Sequence, residues 1–194
     1  PLWPQSLLLA VLLLQPGGFL AVGSPDQYYY FEVAQITAGG QYPYLDYWME
    51  FPPIFPWLIV GAYKLSLLIL PWNDRILWFN AILRLLMLPS EIGSLVLIYS
   101  IVGRLHSRKQ GQNAAITFAL LFGPLFVFLG WFDQLVLFFM LLALYGLTRN
   151  NPLLCGLGIG LGFGVKLFPV AVLPAAVRAY WMPRRLLVLL GTLV

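Results

Sequence analysis

Long apolar runs separated by short polar stretches dominate this sequence. The first run extends from about Pro4 to Gly23, and later runs cover Ile76–Val102, Asn113–Gly130 and Leu135–Thr148. The longest of them provide the ~20 residues that an α-helix needs to cross a hydrocarbon core of about 30 Å. The pattern therefore predicts an all-α protein, a polytopic bundle of membrane-crossing helices. A proline inside the second run, Pro89, predicts a kink in that helix.

The last apolar stretch, Leu153–Met182, is interrupted by Lys166 and Pro169. It predicts a hairpin of two short helices with its apex near Lys166, because an even number of crossings returns the following arginines to the side from which the stretch began. Small residues recur here at every fourth position, which favours close helix contact. These residues are Gly156, Gly160 and Gly164, with Gly158 and Gly162 between them.

The polar stretch after the first run carries four of the seven acidic residues, and no Lys or Arg occurs before Lys64. By the positive-inside rule, we expect this stretch on the outer face and the basic cluster Arg104–Lys109 in the cytoplasm. The segment Trp57–Leu70 is too short and too interrupted to cross, so it is predicted to lie along the outer interface. Residues 24–75 are thus predicted to form an external loop with juxtamembrane helices.

Composition narrows the class of protein further. Hydrophobic residues make up 61% of the 194 residues and charged residues only 9%, with a mean hydropathy of +0.86. These values exclude a cytosolic enzyme, a disordered chain and a nucleic-acid-binding module. The net charge is +4, and the basic residues lie at the ends of apolar runs. Basic residues in these positions set the orientation of helices in a membrane, so they do not indicate a surface that binds a polyanion.

We expect a single transmembrane domain over residues 1–194 that continues beyond the C-terminal end, because the chain starts without Met and stops inside an apolar run. The lone cysteine, Cys155, supports neither a disulfide framework nor a Cys-based metal site. We expect no cofactor. The requirement for a divalent metal ion is left open.

Two groups of polar residues are candidates for chemistry. Asp26 directly follows the first apolar run and is either the N-cap of a helix over Gln27–Ala38 or an acid–base group. Arg84 and Glu91 lie inside the second run, where a charge is costly and is either a structural buried group or part of a site. The aromatic residues of the external loop form either an interfacial belt or a platform for sugar rings.

The order of short motifs along the chain carries a resemblance. These motifs are Ser24-Pro25-Asp26, Gly40-Gln41-Tyr42-Pro43-Tyr44-Leu45-Asp46, Glu50-Phe51-Pro52-Pro53-Ile54, Arg84 with Leu88-Pro89-Ser90-Glu91, Gly130-Trp131-Phe132-Asp133 and Gly164-Val165-Lys166-Leu167-Phe168-Pro169. Together they resemble the GT-C superclass of multipass glycosyltransferases. The resemblance is closest to the bacterial polyprenyl-phosphate-mannose-dependent mannosyltransferases, which are glycosyltransferase family 87-like. Two departures are Phe51 in place of the usual Tyr, and a Gln that follows Asp133 instead of preceding it.

The resemblance implies a multi-pass protein of the bacterial plasma membrane with its active site on the extracytoplasmic face. It also implies that Asp26 is the catalytic base and that the Glu-x-Pro-Pro segment begins an outer juxtamembrane helix. The implied partners are a polyprenyl-phosphate sugar donor, a lipid or glycan acceptor and membrane lipids, and no nucleic acid. The sugar is expected to be mannose or another hexose, transferred with inversion.

A phosphate leaving group needs no general acid, so such a site must supply a base for the acceptor hydroxyl and cations for the phosphate. We expect a cation within reach of Asp26. The expected substrate-binding residues are the carboxylates Glu32, Asp46, Glu50 and Asp133 and the phosphate partners Lys64, Arg75 and Lys166.

A second hypothesis is a membrane transporter or lipid flippase, because such proteins place charges and broken helices near the bilayer midplane. Arg84, Glu91 and Lys166 within apolar segments favour it. The concentration of acids in one outer loop favours the glycosyltransferase.

Overall fold

The computed structural model describes residues 25–69, 75–121 and 132–193. All regular structure in these ranges is helical, with no strand, which confirms the prediction of an all-α fold. The first apolar run, predicted to be a crossing helix, lies outside the described residues. The helices are α1 (Pro25–Ala38), α2 (Ile54–Ser66), α3 (Arg75–Leu105), α4 (Arg108–Leu121), α5 (Asp133–Thr148), α6 (Pro152–Val165), a 3-10 helix (Phe168–Val172), α7 (Leu173–Ala179) and α8 (Pro183–Gly191).

Helix α3 is the one helix in the described ranges that is long and apolar enough to cross a membrane. Its 31 residues correspond to about 46 Å at 1.5 Å per residue. The helix is assigned without a break through Pro89. The apolar helices α2, α5 and α6 are shorter, between 10 and 17 residues.

The described residues fall into two compact units. The first comprises residues 25–69 and 75–88, and its core is a cluster of aromatic rings that joins α1, α2 and the start of α3. Phe31 meets Tyr63 and Phe79 edge to face, with ring centroids 5.5 and 5.4 Å apart. Tyr30 meets Phe55 in the same way at 4.9 Å. Such pairs add packing specificity to the burial of large apolar surfaces.

The second unit comprises residues 89–121 and 132–193. Helices α5 and α6 are joined by a short turn and pack antiparallel. The turn is closed by Asn151, whose side chain accepts a hydrogen bond from the amide of Leu154 and caps α6 before a proline at its first position. A core cluster of Ala143, Cys155, Ile159, Val172, Ala176, Tyr180 and Leu189 lies between α5, α6 and the segments that follow.

Glycines allow the close approach of helices in this unit. A Cβ atom at Gly158 would lie 2.5 Å from the backbone nitrogen of Ala143, so no side chain fits between α5 and α6 there. On another face of α6, a Cβ at Gly156 or Gly160 would meet the end of α8 at less than 3 Å. The predicted small-residue face of α6 is confirmed at these positions.

The predicted hairpin is also confirmed within the second unit. Helix α6 ends at Val165, Lys166 is extended with φ −161° and ψ 153°, and the chain returns through the 3-10 helix and α7. Pro169 packs against Gly162 on the way back. At the far end, the Tyr180 hydroxyl donates a hydrogen bond to the carbonyl of Gly146 at 2.9 Å.

The predicted bounds of two helices were wrong. Helix α4 begins at Arg108 instead of Asn113 because Ser107 caps it, accepting a hydrogen bond from the amide of Gln110 at 3.3 Å. Helix α2 covers Ile54–Ser66 instead of Trp57–Leu70, so it begins directly after the two prolines of the Glu-x-Pro-Pro motif.

Candidate functional site

Asp26 lies in the first turn of α1, and its side chain is exposed. Because the helix begins at Pro25, Asp26 is inside the helix and is not its N-cap, so that alternative was wrong. Proline suits the first helical position, and a carboxylate in the first turn is stabilised by the partial positive charge of the N-terminus. The local sequence thus holds an accessible carboxylate at the start of α1.

Glu32 is exposed on the same helix. It follows Asp26 by six residues, which places the two carboxylates about 120° apart around the helix axis. They do not share a face. The opposite side of α1, which includes Tyr30, Phe31 and Ala34, is buried in the first unit.

The loop between α1 and α2 folds back onto α1. The Thr37 Oγ1 donates to the carbonyl of Val33 at 2.8 Å and lies 2.6 Å from the hydroxyl oxygen of Tyr47. Since the Thr37 hydroxyl has only one hydrogen, Tyr47 donates to it. Within the loop, an Asp46 carboxylate oxygen accepts from the Tyr42 amide at 2.7 Å. The observed contact gives Asp46 a role in shaping this loop.

Glu50 is brought close to α1 at Tyr29. Burial, and secondly the negative charge of Glu50, raise the pKa of the Tyr29 hydroxyl. The same hydroxyl donates to the sulfur of Met49 at 3.8 Å. Tyr29 is one helical turn after Asp26, so the structure places Asp26, Tyr29 and Glu50 in one region of the first unit.

Most aromatic residues described between residues 25 and 69 fall into two sets, whereas Tyr47 and Phe51 are partly buried. Phe31, Tyr30, Phe55 and Tyr63 are buried and form the core described above. Six others keep more than a third of their surface exposed, so an interfacial belt and a sugar platform both remain open for them. This second set consists of Tyr28, Tyr29, Tyr42, Tyr44, Trp48 and Trp57.

The two predicted phosphate partners of the first unit are also exposed. Lys64 lies in the last turn of α2, and Arg75 is the first residue of α3. Neither forms an ion pair with any residue in the described ranges, and neither does Asp26. The expectation of a cation beside Asp26 is therefore not met by the described part of the chain.

In the second unit, the structure brings together Asp133 and Lys166. The Lys166 ammonium donates to the Asp133 carboxylate at 2.6 Å, and about a third of each side chain is exposed. The same ammonium lies 5.0 Å from the ring centroid of Phe132 and 5.9 Å from that of Phe168. Lys166 is thus held by a carboxylate and two aromatic faces.

Sequence reasoning missed Asn80 as a polar residue of the protein interior. Asn80, Arg84, Glu91 and Gln134 are all at least 95% buried, and each has side-chain atoms without a hydrogen-bond partner in the described ranges. The spacing of Asn80 and Arg84, one turn apart in an otherwise apolar helix, was the signal that could have singled them out.

Comparison with known proteins gives one match. The model of glycosyltransferase family 87 matches residues 62–194, which is more than half of the chain. The match includes Lys64, Arg75, Asp133 and Lys166, and it begins after the acidic loop. No curated protein and no solved structure matches significantly. This match does not favour the hypothesis of a transporter or lipid flippase. The match and the apolar helix α3 together indicate a membrane protein. The chain belongs to glycosyltransferase family 87 and is a glycosyltransferase, with a sugar donor and an acceptor as its substrates.

Proposed function

We propose that this glycosyltransferase moves a hexose, such as mannose, from a polyprenyl-phosphate donor to an acceptor hydroxyl, with Asp26 as the general base. The observation that carries the proposal is the position of Asp26. It is an accessible carboxylate in the first turn of α1, directly after the first apolar run of the sequence. A base in that position meets the headgroup of a lipid whose chain stays in the hydrocarbon.

The chemistry needs few groups. The phosphate departs as a stable anion, so the enzyme has to remove a proton from the acceptor and stabilise the phosphate charge. Attack of the acceptor oxygen on the anomeric carbon breaks the bond to the phosphate oxygen in the same displacement. One displacement inverts the anomeric centre, in contrast to retaining glycosidases, which use a second carboxylate as a nucleophile.

The remaining groups receive supporting roles. Tyr29 lies one turn from Asp26 on α1, and the charge of Glu50 acts on the Tyr29 hydroxyl, so both are proposed to contact the acceptor or the sugar. Glu32 contacts a substrate from a different side of α1, and Asp46 acts by holding the loop. Lys64, Arg75 and Lys166 are the proposed cations for the phosphate, and Asp133 is proposed to neutralise Lys166 until the phosphate binds.

The site is proposed to face the extracytoplasmic side of a bacterial plasma membrane, in a multi-pass protein. The charge pattern supports this orientation. Asp26, Glu32, Asp46 and Glu50 precede the first base of the chain, Lys64, and the bases Arg104, Arg108 and Lys109 lie at the end of the long apolar helix α3 and the start of α4. A lipid-linked donor suits an enzyme whose chain is so largely apolar.

The proposal is tested with the full-length protein reconstituted in vesicles. The donors are polyprenyl-phosphate mannose, polyprenyl-phosphate glucose and a nucleotide-linked mannose, and the acceptor is the lipid extract of cells in which the gene is deleted. We expect transfer from a lipid-phosphate donor, with the anomeric configuration inverted in the product. Transfer from the nucleotide sugar alone, or a product with retained configuration, would contradict the proposal.

A further inference from the structure

Two polar side chains lie on one buried face of α3. Asn80 is 1% exposed and Arg84 is 5% exposed. They are four residues apart, so they project from the same side of the helix with Cβ atoms about 6 Å apart. Leu83 and Met87 are buried beside them, whereas Leu85 and Leu86 on the other side of the helix are exposed. Asn80 and Arg84 are therefore two polar residues on a buried face of α3 that is otherwise apolar.

Neither side chain has a hydrogen-bond partner in the described ranges. This applies to both polar atoms of the Asn80 amide and to Nε, Nη1 and Nη2 of Arg84. The guanidinium carries five N–H groups and stays protonated in proteins. Both residues belong to the first compact unit.

No acidic side chain in the described ranges neutralises Arg84. The one ion pair there joins Lys166 to Asp133. The four acids of the external segment are exposed, and an oxygen of Glu91 is itself buried without a partner. Outside the described ranges, the sequence contains one further acid, Asp74. The positive charge of Arg84 is thus buried without an anion from the described protein.

A buried charge without a partner is strongly unfavourable in a folded protein. An anionic ligand removes this cost, because it supplies the missing charge and acceptor atoms. We infer that Arg84 and Asn80 bind the phosphate group of a ligand of this enzyme. The planar guanidinium fits two phosphate oxygens at once, and the Asn80 amide can donate to a third.

The inference rests on the proposed function for the identity of the ligand, which is the polyprenyl-phosphate sugar or the polyprenyl phosphate left after transfer. An apolar helix suits this choice, since the polyprenyl chain can lie along α3 while its phosphate reaches Arg84. Inorganic phosphate shares the chemistry of the headgroup, so the experiment has to separate the two sources.

The experiment measures thermal unfolding of the full-length protein in vesicles with polyprenyl phosphate, the neutral polyprenol of equal chain length, or inorganic phosphate. We expect polyprenyl phosphate to raise the melting temperature and polyprenol not to do so. A rise with inorganic phosphate as well would support the anion site and identify it as open to free phosphate. An equal rise with polyprenol and polyprenyl phosphate would overturn the inference.

The decisive variant is Arg84→Met, which keeps a long side chain and removes the charge. If Arg84 serves a ligand, the unliganded variant melts at the same temperature as the wild type or higher, because the uncompensated charge is gone. The ligand-induced rise should fall to a small fraction of that of the wild type, and Asn80→Ala should weaken binding by roughly tenfold. A variant that unfolds earlier without ligand would show a structural role and overturn the inference.

Arg104→Gln is the matched control, because Arg104 is exposed in the last turn of the same helix. It should keep the full response to polyprenyl phosphate. The two proposals can fail separately. If Arg84→Met binds polyprenyl phosphate as the wild type does while sugar transfer from the lipid donor is observed, only the phosphate site is wrong. If the wild type binds through Arg84 but transfers no sugar from a lipid phosphate, only the proposed function is wrong.

Discussion

The ammonium nitrogen of Lys166 lies 2.6 Å from a carboxylate oxygen of Asp133, although the two residues are 33 positions apart. The contact joins the start of α5 to the end of α6. At the opposite end of the same helix pair, Arg185 donates to the side-chain oxygen of Asn150 at 2.9 Å. The charge pattern predicts that Asp133 and Lys166 lie on one side of the membrane and Arg185 on the other. The two contacts are consistent with this prediction, because they lie at opposite ends of the helix pair.

The Lys166–Asp133 pair yields a test in which the two partners act with opposite signs. If Lys166 binds the donor phosphate, Lys166→Gln should raise the donor KM more than the acceptor KM. Asp133→Asn should leave the donor KM unchanged or lower it, because the ammonium no longer has a competing anion. The measurement is steady-state kinetics with each substrate varied in turn. If both variants raise the donor KM equally, the pair is structural.

The topology can be tested with single cysteines in a Cys155→Ala background. We expect a membrane-impermeant maleimide to label Leu45→Cys and Phe168→Cys on intact cells. Leu105→Cys and Trp181→Cys should react only after permeabilisation. All four positions are well exposed on the protein, with relative accessibilities from 61% to 83%, so a lack of labelling reports the membrane side. Labelling of all four on intact cells would refute the predicted arrangement.

The close approach of α5 and α6 predicts a cost for any side chain at Gly158. Gly158→Ala should lower the stability by about 1–3 kcal/mol, because its Cβ would meet the backbone of Ala143. Gly61→Ala is the control, since nothing lies within 4 Å of a Cβ at that helical position. It should be neutral or stabilising by up to about 1 kcal/mol. Thermal unfolding of both variants in the same detergent distinguishes these outcomes.

The hydrogen bond between Tyr47 and Thr37 predicts that the fold of the loop between α1 and α2 depends on one hydroxyl group. Tyr47→Phe should cost about 1 kcal/mol locally and increase cleavage between Gln41 and Phe51 by protease added outside vesicles. Trp48→Phe is the control, because Trp48 is 85% exposed. Equal cleavage rates for Tyr47→Phe and the wild type would show that this bond does not hold the loop.

Hydrophobic runs were sufficient to predict the helices whose ends coincide with a change in polarity. Helix α5 was predicted as Leu135–Thr148 and is observed as Asp133–Thr148. The start of α4 was misplaced because Arg108 and Lys109 were taken as a polar turn. Ser107 and Gln110 form an N-terminal capping motif. The helix therefore begins at Arg108 although its first residues are polar.

The site was less predictable because its contacts join distant parts of the chain. Periodicity predicts which residues of one helix share a face, as for Asn80 and Arg84, but it does not predict that Lys166 meets Asp133 or that Glu50 approaches Tyr29. These contacts depend on how helices and loops pack. Sequence motifs selected the acidic loop and Asp26, and the roles of these residues remain predictions.

The most direct test of the account is the rate of sugar transfer by Asp26→Asn, compared with wild type at equal amounts of folded protein in vesicles. Loss of a general base predicts a fall of roughly 10²–10⁴-fold, whereas the rise in melting temperature with polyprenyl phosphate should persist because Asp26 does not hold the phosphate. Gln35→Ala, an exposed change on the same helix, should transfer normally. Transfer by Asp26→Asn at the wild-type rate would contradict the proposed mechanism.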